Sequence, residues 1–369
     1  MKISLVTWLG NGNYGTALQS YALYQKLKLL GYDISFLPYF DRHFRLKSIL
    51  KGILAVVGIL QRRDKKKFEK TKALKKLYAF QKEKYEISHI YFLKQYKRLL
   101  NKTDVFVTGS DQIWNAWYSF NPFYFLDFAK NKKRIAYASS IGTNDFPEKY
   151  KGEIKKLLSR FSHIGVREQA AVKAVFTLLN RDDIQQVLDP TFLLGPHEWN
   201  ELTKEADVEL RLPSKYILCY LIGNNPHYTG QLLNLAKGYG IKDIIIIPAV
   251  ENKSFKIPDS IVYDAAGPKE FVYLIQHAAL VCTDSFHATA ISINLSINFV
   301  EFLRFKDTDK ESQNSRIHDI LNHYDLRSRI YSANNEEEWL KEIDYMPVQA
   351  ALAEDRIKSV NFLIDSIEH

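Results

Sequence analysis

Short runs of β-branched and aromatic residues alternate along this chain with longer stretches of helical spacing. In the first half the runs fall at 3–9, 34–38, 105–108, 135–138 and 164–166, each bounded by glycine, serine or charge. Residues 16–30 have helical spacing, with Leu18, Tyr21, Ala22, Leu27 and Leu30 sharing one inward side and Gly31 ending the helix. The alternation resumes at Tyr216, with strands expected at 216–223, 243–248 and 280–283 and helices at 228–238, 268–277 and 287–293. Parallel neighbours need a crossover, so strand–helix alternation predicts mostly parallel sheets covered by helices on both faces.

A chain of 369 residues is long enough for two such units. The expected fold class is α/β, with two Rossmann-like domains facing across a cleft. The first is expected over 1–196, with a helical, basic insertion around 42–102. The second covers 197–346, and a helix over 347–369 crosses back to the first. The polar, proline-bearing section 196–213 reads as the linker. Loops from the carboxyl ends of two facing sheets would surround one ligand.

The excess of 51 Lys and Arg over 42 Asp and Glu favours anionic partners. Residues 61–77, QRRDKKKFEKTKALKKL, hold nine basic and two acidic side chains, so most of the +9 is local. This block follows the apolar run 49–60, ILKGILAVVGIL. Two readings stand: a helical hairpin with a solvated charged face, or peripheral docking on an anionic membrane, with Lys65, Lys66 and Lys67 meeting lipid phosphate. No run reaches the length of a membrane span, and the N-terminal residues lack the pattern of a signal peptide. Cys219 and Cys282 sit in apolar strand-like runs and read as buried reduced thiols, which points to a cytoplasmic location; membrane docking would place the chain at the inner face. The lysine-dominated block adjoins no recognition motif, so nucleic acid is not an expected partner.

The stretch GNGNYG at 10–15 matches the dinucleotide fingerprint G-x-G-x-x-G. Asp41 is the only acid near the end of the second strand, and it opens a charged, irregular section. The glycines therefore read as a tight strand-to-helix turn at the cleft, and no redox cofactor is expected.

Chemistry concentrates in TDSFHATA, 283–290, at a strand-to-helix transition. Asp284 or Ser285 would cap the helix, leaving amide groups facing an anion, with His287 beside them. A lone histidine is more often structural, yet this one sits with cap residues at the mouth of an expected sheet, so a structural and a functional role both stand. Arg304, and Arg316 in NSRIHDIL with Asn314 and Ser315, could grip a doubly charged small molecule or form an ordinary solvated face. Arg167, at the end of the strand 164–166, reads as a surface salt-bridge partner or a cleft anion ligand. Asn13 and Tyr14 lie at the first turn. In GSDQIWN, Asp111, Gln112 and Asn115 suit sugar hydroxyls, while Trp114 is either an aromatic platform or core. The absence of C-x-x-C, H-E-x-x-H or any tight His/Cys/Asp cluster predicts no metal site.

Taken together, GNYGTALQSYALYQKLKLLGY, VFVTGSDQIWN, RIAYASSIG, GVRE, VLDPTFLL, GPKEFVYLIQHAALVCTDSFHATA and NSRIHDIL resemble the polysaccharide pyruvyl transferase family over nearly the full chain. Where that family usually has glycine after the histidine, this chain has Ala288. The resemblance implies a fold like the two-domain, GT-B-like glycosyltransferases with the active site in the interdomain cleft. It also implies transfer of pyruvate from phosphoenolpyruvate, as co-substrate without a further cofactor, to two hydroxyls of a saccharide, giving a cyclic ketal. His287 corresponds to the catalytic histidine. Arg167, Ser285, Arg304, Asn314, Ser315 and Arg316 are expected to hold the donor, and Asn13, Tyr14, Asp111, Gln112, Trp114, Asn115 and Asp284 to line the cleft or meet the acceptor. The acceptor is a lipid-linked or a soluble saccharide. A sugar-nucleotide glycosyltransferase is the alternative on the same architecture.

Overall fold

The computed structural model describes residues 1–10, 12–39, 71–88, 90, 92–249, 252, 255–305, 312–334 and 336–369. Asp41, the apolar run 49–60 and Lys65, Lys66 and Lys67 lie outside them, and with them the residues on which the membrane reading rests.

The apolar runs form two all-parallel sheets. The first contains β1 (Lys2–Val6), β2 (Asp33–Phe36), β3 (Val105–Thr108), β4 (Lys133–Ser139), β5 (His163–Val166) and β6 (Gln185–Gln186) in the order β2-β1-β3-β4-β5-β6. The second contains β7 (Tyr216–Tyr220), β8 (Asp243–Ile246), β9 (Ile261–Val262), β10 (Leu280–Thr283) and β11 (Phe299–Glu301) in the order β11-β10-β7-β8-β9. Register follows the apolar positions: Ile3 stands beside Ile34 on one side and Val105 on the other. Helices cover both faces, which is why β3, β7 and β10 are buried throughout and read as unbroken hydrophobic runs. Cys219 and Cys282 face one another in register on β7 and β10, both free and buried, and burial pushes both thiols up.

The helix Tyr14–Leu29 departs from the expected single inward side: every residue from Tyr14 to Tyr24 is buried. It lies between the two halves and touches both. The Tyr14 ring stacks on Phe271 at 4.7 Å, and its hydroxyl donates to the Ala266 carbonyl at 3.0 Å. One continuous apolar cluster therefore runs from Leu18 and Tyr21 of the first half to Phe271 and Ile291 of the second.

The expected linker is partly built in. Its first residues form the helix Pro196–Thr203, whose Trp199 is fully buried and donates to the Thr191 carbonyl at 3.2 Å. An indole in the core at 199 leaves only the later residues as connector. The helix Tyr345–Glu368 ties the halves together from the other side. Gln349 donates to the Ile293 carbonyl in the second half (2.7 Å). Farther along, the Leu188 amide donates to Ser359 (3.0 Å), and Phe362 presses on Gly165 of the first.

The described part of the insertion forms the helices Lys72–Lys84 and Leu93–Lys102. Basic residues of the first reach the second half: Lys72 pairs with Glu209 at 2.8 Å and Lys76 with Glu270 at 3.2 Å, while Lys84 and Lys269 converge on Glu205 at 2.6 and 2.7 Å. Part of the basic block is thus spent on an interdomain ion-pair network rather than on a free charged face.

Candidate active site

The helix Phe286–Asn294 begins where β10 ends, and all nine of its residues are buried. His287, in its first turn, faces the first half. Gly15 lies against the ring: a Cβ there would sit 2.3 Å from His287 Nδ1 and 2.7 Å from Cγ. The last glycine of GNGNYG thus lets the first-half helix approach an imidazole far along the chain.

On its other nitrogen, His287 Nε2 lies 3.6 Å from Asp189 Oδ2. That oxygen also accepts from Arg167 at 2.9 Å and from Ser110 Oγ at 3.1 Å, while Oδ1 accepts from the Thr191 amide and hydroxyl at 3.0 and 2.8 Å. Burial opposes charge on Asp189, but His287, Arg167 and the Thr191 amide outweigh it and hold the carboxyl far below the usual carboxylate range. Asp111 behaves likewise: burial is outweighed by His287 and Arg167, and by hydrogen bonds from Thr16 Oγ1 (2.7 Å) and the Gln112 amide (2.8 Å). Asp111, in the loop after β3, adopts φ 68°, a left-handed conformation that aspartate tolerates better than most residues.

A pair of guanidinium groups completes the site. Arg167 lies over the Phe286 ring at 4.4 Å and Arg316 at 5.9 Å. Burial pulls Arg167 down, but Asp189, Glu168 and Asp111 outweigh it and raise it above its ordinary value. Arg316 is compensated only in part: Asp111 and Glu168 raise it, but they do not outweigh its burial. Burial, with the like charges of Arg167 and Arg304 added, lowers it to about 9. Arg167 Nε and Nη2, Arg316 Nε and His287 Nε2 are buried without a hydrogen-bond partner. Orphaned donors around an under-compensated cation are what an anion would satisfy. A cavity of about 140 Å3 adjoins the pair, with Arg167, Asp189, Phe286, Arg316, Tyr324 and Ser359 in its lining.

A model of the family described as polysaccharide pyruvyl transferase matches residues 13–307. The chain belongs to that family. No curated protein matches this pyruvyl transferase family member in sequence. Among solved structures it is similar to UDP-GlcNAc 2-epimerase from Neisseria meningitidis bound to UDP-GlcNAc, with a TM-score of 0.52 and 11% identity over 99% of this chain and 100% of that one. It is also similar to the wall teichoic acid polymerase TagF, with a TM-score of 0.52 and 14% identity over 100% of this chain and 90% of that one. These likenesses concern the fold: two parallel sheets with helices, in the GT-B type of arrangement.

Several expected site residues of this family member have other duties. Asp284 does not cap the following helix. Its two oxygens accept from the Ile222 and Gly223 amides, both at 2.7 Å, and from the Tyr228 hydroxyl at 2.9 Å, so they fix the loop after β7. Ser285 occupies the cap position without a side-chain cap bond, and its amide donates to Thr283 Oγ1. Trp114 is no platform: it is fully buried, stacks on Phe125 at 5.4 Å and donates to the Tyr124 carbonyl. Asn13 caps the first helix through the Thr16 amide, and Tyr14 is an interdomain packing residue. Asn314 is buried and donates to the Phe305 carbonyl at 2.7 Å, Ser315 opens the helix Ser315–His323, and Arg304 lies 4.0 Å from Asp284. Arg167 and Arg316, read as either solvated or functional, are both buried. The Gln112 amide lies 2.9 Å from that of Asn115 and, with its oxygen toward Arg316, accepts from both terminal nitrogens at 2.5 and 3.2 Å.

Sequence reasoning missed Asp189, Thr16, Gly15 and Phe286 as members of the site. Asp189 carried a signal, since a lone acid precedes proline in VLDPTFLL, but the same pair is ordinary turn chemistry. It also missed Glu301, which is fully buried at the end of β11 and bonded to Thr289. Burial pushes its carboxyl up to about 8, against the Thr289 hydrogen bond and with Asp284 adding to the rise. The folded chain therefore keeps a proton that the unfolded chain has released, and stability falls as pH rises from the ordinary carboxyl range to about 8. Glu301→Gln is expected to remove that slope, up to ~1.4 kcal/mol per pH unit, in denaturant unfolding measured from pH 5 to 8.

Proposed function

We propose that this chain transfers the pyruvyl group of phosphoenolpyruvate to two hydroxyls of a saccharide, forming a cyclic ketal and releasing inorganic phosphate. The observation that carries the reading is the buried Arg167–Arg316 pair around Phe286, with unpartnered donors, beside His287 and between the two halves. Phosphoenolpyruvate carries its carboxylate and its phosphate on the same carbon, and two guanidinium groups would meet that charge and fix its orientation. Its charge would offset the depressed Arg316.

The chemistry balances without a further cofactor. The enol methylene takes a proton and becomes a methyl group as positive character grows on the adjacent carbon. One sugar oxygen bonds to that carbon, the C–O bond to phosphate breaks, and a second sugar oxygen closes the ring. Of the two hydroxyl protons lost, one is balanced by the methyl proton and the other leaves with phosphate. His287 would carry the proton to the methylene or to the departing phosphate. Asp189 would hold the ring and stabilise its charged form while orienting Arg167.

The test is phosphate release from phosphoenolpyruvate in the presence of cell-envelope saccharide fractions. Dependence on both substrates is expected. His287→Gln is expected to lower turnover at least 100-fold while phosphoenolpyruvate affinity changes little. Near-normal turnover in that variant would remove His287 from proton transfer. Consumption of a nucleotide sugar in place of phosphoenolpyruvate would overturn the reading.

A further inference from the structure

Two large aromatic side chains stand on the surface of the loop that reaches Arg316 through Gln112. Trp117 is 57% exposed and Tyr118 is 83% exposed, whereas Trp114, three residues earlier, is fully buried. Both belong to the loop that follows β3, at the carboxyl edge of the first sheet, where ligands of such folds gather. The loop is anchored at several points. The Trp117 indole N–H donates to the Asp145 carbonyl at 2.9 Å, so the polar edge of the ring is satisfied and its exposed area is left to carbon. Asp145 is in turn paired with Lys151 at 2.7 Å. The Tyr118 amide donates to the Asn115 side chain at 3.2 Å, Asn115 touches Gln112, and Gln112 contacts Arg316. A line of contacts therefore leads from Arg316 through Gln112 and Asn115 to the backbone of the loop that carries the two rings.

We infer that Trp117 and Tyr118 form the platform on which the saccharide acceptor stacks, an assignment that rests on the transfer reading for the acceptor's chemical class. A pyranose ring offers C–H groups on one face and hydroxyls around its rim. Exposed rings, that of Trp117 held at its indole edge, suit the face, and the half-buried amide of Gln112 suits the rim. The platform lies outside the proton-transfer residues, so it governs which saccharide is held and how long, not the rate of the chemical step.

The probe is an array of defined oligosaccharides built from galactose, glucose, mannose and their N-acetylated forms, applied to the full chain. Binding to a subset is expected, reduced at least tenfold in Trp117→Ala and in Tyr118→Ala and retained in Trp117→Phe. Both positions are exposed, so the variants are expected to unfold at the wild-type denaturant concentration. His287→Gln is expected to bind the same glycans as the wild type. With a bound glycan used as acceptor, Trp117→Ala should raise its KM at least tenfold and leave the KM for phosphoenolpyruvate unchanged. Wild-type-like glycan binding in both alanine variants, or no glycan binding by the wild type, overturns the platform. Glycan binding through Trp117 with no phosphate release by the wild type would leave the platform standing and remove the transfer reading.

Discussion

Replacing Gly15 with alanine is expected to lower kcat/KM for phosphoenolpyruvate about 100-fold, the scale of a 1 Å misplacement of a reacting group. The position lies in the first turn of a helix, where alanine is the better helix former, so local backbone preference opposes no such change. The obstacle is the other half of the molecule. The added methyl would lie 2.3 Å from His287 Nδ1, 2.7 Å from Cγ and 2.8 Å from Cβ, so the whole side chain has to move. Its displacement would break the approach of Nε2 to Asp189. Gly152, an exposed glycine of the helix Glu148–Leu158 with no atom near its would-be Cβ, is the control. Gly152→Ala is expected to keep wild-type turnover. Wild-type turnover in Gly15→Ala would contradict the placement of His287.

Asp189→Asn should cost about 3–5 kcal/mol of stability, the size expected when a buried charge loses its partner. The amide keeps the shape of the side chain, and its oxygen can still serve Thr191. What it loses is the negative charge beside Arg167, and an amide nitrogen would then face the guanidinium and Ser110. In the wild type the carboxyl lies below its unfolded value, so its contribution is present above the ordinary carboxyl range and lost as pH falls toward the folded value. The variant should therefore show a weaker loss of stability below about pH 4 in denaturant titrations. Turnover should fall with it, because Asp189 orients Arg167 and meets His287. An Asn variant as stable as the wild type across that range would show that the Arg167 charge is compensated elsewhere.

The parallel sheets were legible because strands buried on both faces are written as unbroken apolar runs, and β3 and β10 begin and end where those runs do. Long-range encounters were not legible. The first helix looks one-sided in sequence, yet it is buried all round because a second sheet with its helices meets its other face. Arg316 looks like a solvated residue on a polar helix, since nothing local tells that Phe286 and Gln112 will close over it. Gly15 looks like a phosphate-loop glycine because close approach of backbone to any group demands the same residue type. Trp114 and Trp117 stand three residues apart in one loop, one in the core and one on the surface, and composition cannot separate them. His287 was legible as a candidate because a strand-to-helix junction concentrates polar chemistry. Its partner Asp189 was not, because the pairing is made by the meeting of the two halves.

The central claim is that Arg167, Arg316 and His287 act on one three-carbon phosphorylated acid. Mass spectrometry of a lipid-linked and a soluble saccharide pool, each incubated with the chain and phosphoenolpyruvate, tests it most directly. One saccharide species should gain a single pyruvyl ketal for every phosphate released, and Arg316→Ala should abolish both. Phosphate release with no change in any saccharide, or an unchanged yield in Arg316→Ala, would contradict the account.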